Sequence, residues 1–189
     1  MRKTVYALIA AVAAMGIALP AAASAGTGPI KNITDDCDAV ADCGGLVLKS
    51  PDLAIAVASS KAKSGTAVIV AVQAPDPTQD FLYTPPANPA DGAESMQWAP
   101  SGKPSGLCIS EPNVDVKTDL VLRKCNGSNF QIWDFVDLGT DGFNVWENLA
   151  SGFAMSDPSS GPAGTQLKSR TIGAGTAENE RWAPLGNGP

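Results

Sequence analysis

The residue types that could carry catalysis are few in this chain of 189 residues. It contains no histidine, which excludes Ser-His-Asp and Cys-His nucleophilic arrangements and imidazole metal sites. Nineteen Asp and Glu residues remain, but no pair stands out as the acid and base of a glycoside hydrolase. The turn context of Glu111, Asp134 and Glu147 predicts solvated positions. We therefore expect no enzyme, no bound metal and no cofactor.

The four cysteines are the other chemically distinctive residues. In an exported chain without histidine, four cysteines favour disulfides over a metal site. Four cysteines can be connected in three ways. We expect the connectivity with two local disulfides, Cys37 with Cys43 and Cys108 with Cys125. On the chain-entropy estimate, the second disulfide adds about 3 kcal/mol to the free energy of unfolding.

The N-terminus carries the pattern of an export signal. Two basic residues precede an apolar stretch from Val5 to Leu19, and Pro20 and the small tripeptide Ala23-Ser24-Ala25 follow it. We expect residues 1–25 to be a cleaved signal peptide rather than an uncleaved membrane anchor. The mature protein is then secreted, and the alanine-rich signal is typical of bacteria. No later segment has the length and apolarity of a membrane-spanning helix.

Acidic residues outnumber basic ones, 19 to 13, and give a net charge of −6 at neutral pH. Loss of residues 1–25 removes two basic residues and no acidic one, so the mature net charge is −8. Such a surface favours solubility and repels phosphate backbones and anionic lipids. We expect a monomer whose partners include neither nucleic acid nor, after signal cleavage, a membrane.

A faint threefold repetition follows the N-terminal region. Self-similarity at a period of about 50 residues indicates one supersecondary unit used three times, none of which can bury its apolar face alone. The units end at Phe81, Trp133 and Trp182. We expect residues 26–43 to form a leader with a small disulfide loop and residues 44–189 to form one domain. Its repeats span about 44–90, 91–139 and 140–187.

Each unit contains four short runs of β-branched and aromatic residues, separated by clusters of Gly, Pro, Asn, Asp and Ser. This pattern predicts an all-β fold of twelve short strands, which close into a barrel capped by hairpins and leave few open edges. The predicted strands are 46–48, 53–57, 66–72 and 79–83; 96–98, 107–109, 118–122 and 130–135; 143–146, 153–155, 165–167 and 180–182.

The second unit resembles the ricin B-type lectin repeat. The resemblance rests on Gly106-Leu107-Cys108-Ile109-Ser110, on the run from Thr118 to Ser128 that contains Cys125-Asn126-Gly127, and on Gln131-Ile132-Trp133. It implies a β-trefoil fold. The first and third units keep the Gln-x-Trp ending only as Gln79-Asp80-Phe81 and Glu180-Arg181-Trp182.

The Gln-x-Trp positions have a structural role. Phe81, Trp133 and Trp182 are expected to meet in one shared interior near the pseudo-threefold axis, and each then contributes a few kcal/mol of apolar burial. A buried amide needs partners, so we expect Gln131 to hydrogen-bond the backbone of its own unit.

The resemblance also implies where a sugar could bind. In the family, an Asp after the first Cys position, an aromatic platform two residues before the second and an Asn before Gln-x-Trp hold the sugar. This chain departs at most of these positions. The Asp position holds Ala56, Ser110 or Ser156, the platform position holds Ala71, Arg123 or Arg170, and the amide position holds Thr78, Phe130 or Asn179.

Only Asn179 agrees with the lectin pattern, so the third unit provides the candidate pocket. There Ser156 and Asp157 accept sugar hydroxyls, Asn179 donates and accepts, and Arg170 supplies charge-assisted donors. The alternative is that Glu111-Pro112 and Asp157-Pro158 simply begin turns, with Asx-type bonding of Asp157 to its own backbone. The function predicted is binding of extracellular carbohydrate. The alternative function is that of a trefoil without sugar sites, which acts through protein contacts as an inhibitor or surface-interaction protein.

Overall fold

Twelve β-strands and four 3-10 helices of one turn make up the regular structure of the described residues. A computed structural model describes residues 43–49, 53–85, 93–136, 142–158, 161–172 and 178–186. The strands are β1 Cys43–Leu48, β2 Leu53–Val57, β3 Val68–Val72, β4 Phe81–Thr84, β5 Glu94–Trp98, β6 Leu107–Ser110, β7 Val121–Lys124, β8 Ile132–Val136, β9 Val145–Asn148, β10 Phe153–Ser156, β11 Lys168–Thr171 and β12 Trp182–Gly186. The 3-10 helices are Pro77–Gln79, Pro100–Gly102, Asn129–Gln131 and Glu178–Glu180.

The all-β prediction is confirmed, with four strands in each unit. Several other predictions concern residues outside the described ranges: the signal peptide 1–25, most of the leader 26–43 and the repeat boundaries near 90 and 139. The leader's last residue, Cys43, opens β1 and is disulfide-bonded. Its predicted partner Cys37 also lies outside the described residues, so that pairing stays a prediction.

Six of the strands form a closed barrel. Strand β1 pairs with β4 and β12, β4 with β5, β5 with β8, and β8 with β9, all antiparallel. The barrel is completed between β12 and the residue that precedes β9. There Asn144 and Trp182 exchange two backbone hydrogen bonds of 2.8 Å. Closure of the barrel satisfies the backbone groups that an open sheet would leave at its edges.

The other six strands form three hairpins that cap one end of the barrel: β2–β3, β6–β7 and β10–β11. The hairpins meet in a cyclic set of hydrogen bonds. Val68 N donates to Leu120 O at 3.1 Å, Leu120 N to Leu167 O at 2.9 Å, and Leu167 N to Val68 O at 2.9 Å. Each unit contributes one N–H donor and one carbonyl acceptor to this cyclic set of hydrogen bonds. The pseudo-threefold axis therefore passes through the centre of the set. This arrangement of barrel and cap is a β-trefoil.

The three aromatic residues that end the units occupy equivalent places in the core. Each pairs with the last residue of the first strand of the next unit: Phe81 with Trp98, Trp133 with Asn148, and Trp182 with Leu48. All three are completely buried and belong to one hydrophobic cluster. The prediction of a shared interior is confirmed.

The seventh and eleventh strands lie about three residues later than the sequence predicts. We predicted 118–122 and 165–167, whereas the strands are Val121–Lys124 and Lys168–Thr171. The pattern of apolar residues is misleading here because Leu120 and Leu167 bond across the axis to other units instead of along their own hairpins. Of the polar strand residues that follow, Arg123, Lys124 and Thr171 are exposed, whereas Ser169 is buried.

A disulfide of the second unit also belongs to the described structure. Cys108 and Cys125 are joined, with their Cα atoms 5.0 Å apart, which confirms the predicted pairing. Within the described ranges, no helix has both the length and the apolarity needed to cross a membrane.

Candidate ligand-binding site

The glutamine of each Gln-x-aromatic motif fixes the turn that precedes the last strand of its unit. Gln131 Nε2 donates to Lys124 O at 3.0 Å, and its Oε1 accepts from Asn126 N at 2.9 Å. Gln79 repeats the arrangement in the first unit with Val72 O and Ala74 N. The expected bonding of Gln131 is confirmed. Both glutamines lie in 3-10 helices rather than in the strands predicted for them.

In the second unit, this turn and the hairpin β6–β7 border a cavity of about 390 Å³. We call it the second-unit cavity. It is open to solvent and lined mainly by polar side chains. The residues used below are Ser110, Glu111, Arg123, Lys124, Asn126 and Phe130.

Strand pairing and the disulfide position the walls of the second-unit cavity. In the ladder Ser110 lies opposite Val121 and Arg123 opposite Cys108, while the Cys108–Cys125 disulfide joins the two strands beside Arg123. Phe130 lies in the 3-10 helix held by Gln131, and its carbonyl accepts from Glu111 N at 3.0 Å. The backbone that carries these side chains is therefore fixed before any ligand binds.

Glu111 is one of the residues that line the second-unit cavity, yet it is completely buried, so its predicted solvated position is wrong. Its Oε2 accepts from Ser151 Oγ at 2.5 Å, and its Oε1 has no hydrogen-bond partner within the described structure. Burial raises the pKa of Glu111, while the side-chain hydroxyls of Ser151 and Ser169 oppose that rise. Asp134 and Glu147 also depart from the prediction, because they lie opposite each other on β8 and β9 and not in turns.

The rim of the second-unit cavity carries two cations and an aromatic ring. Arg123 and Lys124 are exposed, and neither forms an ion pair with a residue that the structure describes. Phe130 is 37% exposed, although aromatic rings usually bury most of their surface. The cavity thus combines an apolar face, two free cations and a buried carboxyl group.

The third unit brings together three of its four predicted sugar-binding residues. Ser156, Asp157 and Asn179 are buried, and Asn179 Nδ2 donates to Asp157 O at 2.5 Å. Asp157 Oδ2 accepts from Gly161 N at 2.8 Å, as the turn alternative requires. Arg170 lies on β11 opposite Ala154.

Three polar atoms of the third-unit residues have no hydrogen-bond partner in the described structure: Ser156 Oγ, Arg170 Nε and Asn179 Oδ1. All three atoms are buried away from solvent, and one oxygen of Asp157 is used by the local turn. The assignment of this unit as a sugar pocket stays a prediction.

The sequence pattern assigns no role to Ser110, Arg123 and Phe130, because their residue types differ from the lectin pattern at the three family positions. The first unit also departs at all three positions. The available signal is the residue type, since only the second unit places both a cation and an aromatic ring there. The burial of Glu111 had no sequence signal, because Glu before Pro is typical of a solvated turn.

The chain matches no protein-family model and no curated protein. Its fold is similar to that of solved structures. The designed threefold-symmetric protein ThreeFoil superposes with a TM-score of 0.67 and 19% identity, over 76% of this chain and 98% of that chain. The Rhizoctonia solani agglutinin gives 0.64 and 17%, over 77% and 95%. SeviL bound to asialo-GM1 saccharide gives 0.56 and 8%, over 77% and 97%. At these identities the likeness concerns the fold.

Proposed function

We propose that this protein is a secreted carbohydrate-binding module and that the second-unit cavity is its principal binding site. The observation that carries the proposal is that cavity itself: about 390 Å³, with an exposed Phe130 ring beside polar side chains. Its size falls in the range of small-ligand sites, and the combination suits a pyranose ring. An aromatic face covers the apolar side of such a ring, while polar groups bond its hydroxyls.

The fold supports the same proposal. Two proteins with this fold are the Rhizoctonia solani agglutinin and SeviL, which was solved bound to asialo-GM1 saccharide. The ricin B-type resemblance of the second unit places the family's sugar pocket at the same three positions that line the cavity here. The role is binding without catalysis, since Glu111 is the one carboxylic acid among the described residues that line the cavity.

Retention on a panel of immobilised polysaccharides tests the proposal. Phe130→Ala should weaken retention by about tenfold, because the variant loses the apolar platform. Leu149→Ala is the matched control, since Leu149 is 38% exposed and does not line the cavity. If wild type is retained on no polysaccharide, the proposal is wrong, and recovery of a protein partner from culture supernatant would favour action through protein contacts. If both variants behave as wild type, the second-unit cavity is not the site.

Arg170→Ala tests the third-unit pocket in the same assay. Arg170 is partly exposed and its Nε has no partner in the described structure, so the change should leave the fold intact. Weaker retention of Arg170→Ala beside unchanged retention of Phe130→Ala would move the site to the third unit.

Export is part of the proposal and has its own test. The Cys108–Cys125 disulfide fits an oxidising compartment outside the cytosol. The mature protein should begin at Gly26, which mass spectrometry of the protein from culture supernatant would check. A retained N-terminus on a cell-bound protein would contradict export by a cleaved signal.

A further inference from the structure

We infer that the second-unit cavity selects an acidic saccharide, one whose sugar units carry a carboxylate or a sulfate, over its neutral counterpart. This inference rests on the proposed function and specifies its ligand class. It starts from Arg123, at the position where the ricin B-type resemblance of the second unit implies an aromatic platform. A guanidinium presents its N–H groups as a planar fork that matches carboxylate and sulfate oxygens.

The position of Arg123 is fixed before an anion binds. Its strand β7 is paired with β6 and joined to it by the Cys108–Cys125 disulfide, so its backbone is fixed. Its side chain is exposed and makes no ion pair with a described residue. A ligand anion therefore meets a guanidinium that does not first have to leave a protein carboxylate.

The charge of the second-unit cavity has the opposite sign to that of the whole molecule. The chain has a net charge of −6, yet two cations, Arg123 and Lys124, line the cavity against the single carboxylic acid of Glu111. Glu111 is buried and bonded to Ser151, and its burial favours the uncharged form. A local positive field in an acidic protein favours an anionic ligand there and disfavours nonspecific binding of polyanions elsewhere.

The remaining polar groups of the cavity suit the sugar ring. Asn126 lines the cavity and is exposed, so its side-chain amide can bond a ring hydroxyl. Phe130 offers its exposed ring to the apolar face of the same sugar. Arg123, Asn126 and Phe130 thus supply one group each for an acid group, a hydroxyl and a hydrocarbon face.

The test compares polysaccharides that differ only in charge, by affinity electrophoresis or titration calorimetry at about 0.15 M salt. Polygalacturonate is paired with its fully methyl-esterified form, and dextran sulfate with dextran. We expect one of the acidic members to bind at least about tenfold more tightly than its neutral partner. The pair that shows the difference identifies the acid group as carboxylate or sulfate.

Two variants of equal charge test whether Arg123 is responsible. Arg123→Ala should lower affinity for the acidic polysaccharide by about tenfold or more, whereas Lys103→Ala should change it by less than about twofold. Lys103 is exposed and does not line the cavity, so it controls for the loss of one positive charge. Circular dichroism confirms that both variants fold.

The outcomes separate this inference from the proposed function. Equal binding of acidic and neutral polysaccharides, unaffected by Arg123→Ala, would overturn the acidic selectivity and leave carbohydrate binding intact. Equal losses in Arg123→Ala and Lys103→Ala would also overturn it, since net charge alone would then explain the binding. Retention of no polysaccharide at all would overturn both.

Discussion

At the residue scale, comparison of the three units shows that the backbone of Lys117 is strained. Gly65, Lys117 and Gly164 are equivalent, because each donates its N–H across the cap, to Leu122 O, Ser169 O and Val70 O respectively, at 2.7–2.8 Å. All three have positive φ, of 91°, 68° and 96°. Glycine adopts this conformation freely, whereas lysine does so at a cost.

Lys117→Gly should therefore raise the free energy of unfolding by about 1 kcal/mol, and Gly65→Ala should lower it by about the same amount. A Cβ at Gly65 would meet no atom within 4 Å, so the loss in that variant comes from backbone strain and not from a clash. Urea denaturation of the three proteins measures both changes. A loss of stability in Lys117→Gly would contradict the equivalence.

Glu111 should make stability depend on pH. Its pKa is raised in the folded protein, so the folded state holds the proton more tightly than the unfolded state. The cost of burying its charge is absent at acid pH and grows as the pH rises through the folded pKa. Glu111→Gln lacks this charge, so it should be more stable than wild type at about pH 7, and the difference should shrink towards about pH 4.

Thermal unfolding of wild type and Glu111→Gln across this pH range measures the difference. Asp115→Asn removes an exposed negative charge from the same loop and controls for the change in net charge. A stability difference that stays constant with pH, or grows towards acid pH, would show that burial of the Glu111 charge is not its cause.

At the element scale, the strand pair β8–β9 contains an electrostatically unfavourable contact. Asp134 and Glu147 lie directly opposite each other in its ladder. Burial first, and the neighbouring charge of Asp134 second, raise the pKa of Glu147. The barrel tolerates this repulsion because the same two strands also pair Trp133 with Asn148 and Phe135 with Trp146.

Asp134→Asn should relieve the repulsion and raise the free energy of unfolding by about 0.5 kcal/mol near neutral pH. The gain should disappear at a pH where both carboxyl groups are protonated, since neither then carries charge. Chemical denaturation at the two pH values measures it. A gain of the same size at both would assign the effect to packing or to hydrogen bonding of the amide.

At the scale of the whole molecule, three units share one core, so damage to any unit should be felt by all. Trp133 Nε1 donates to Ile109 O at 3.4 Å, and Trp182 Nε1 donates to Met155 O at 3.0 Å in the equivalent place. Phe81 fills the third place without such a donor. The second and third units thus carry matched indoles, although their surface loops differ.

Trp133→Phe and Trp182→Phe should each lower the free energy of unfolding by about 2 kcal/mol, through a small cavity and an unpaired carbonyl. Both variants should unfold in one cooperative transition, because the aromatic residues belong to a single cluster. Two transitions, seen by near-ultraviolet circular dichroism against far-ultraviolet, would show that the units unfold independently.

The sequence was informative where one residue type meets one physical requirement. Phe81, Trp133 and Trp182 had to be buried together, and Gln131 had to bond its own backbone, so the fold followed from them. The second-unit cavity could not be predicted in this way, because it depends on the burial of Glu111 and the exposure of Phe130. Both are set by contacts between loops distant in sequence, such as that of Glu111 with Ser151.

The pairing of β1 with β12 has a consequence for biosynthesis. Gly44 lies opposite Gly186 and Leu48 opposite Trp182, so the first strand of the barrel cannot complete its pairing until the last strand is available. A ribosome-bound chain whose β12 is still in the exit tunnel has β1 with a bare edge and a core without one of its three central rings. Closure of the barrel therefore requires that β12 has left the tunnel, and until then the unpaired edge of β1 is open to pairing with another chain.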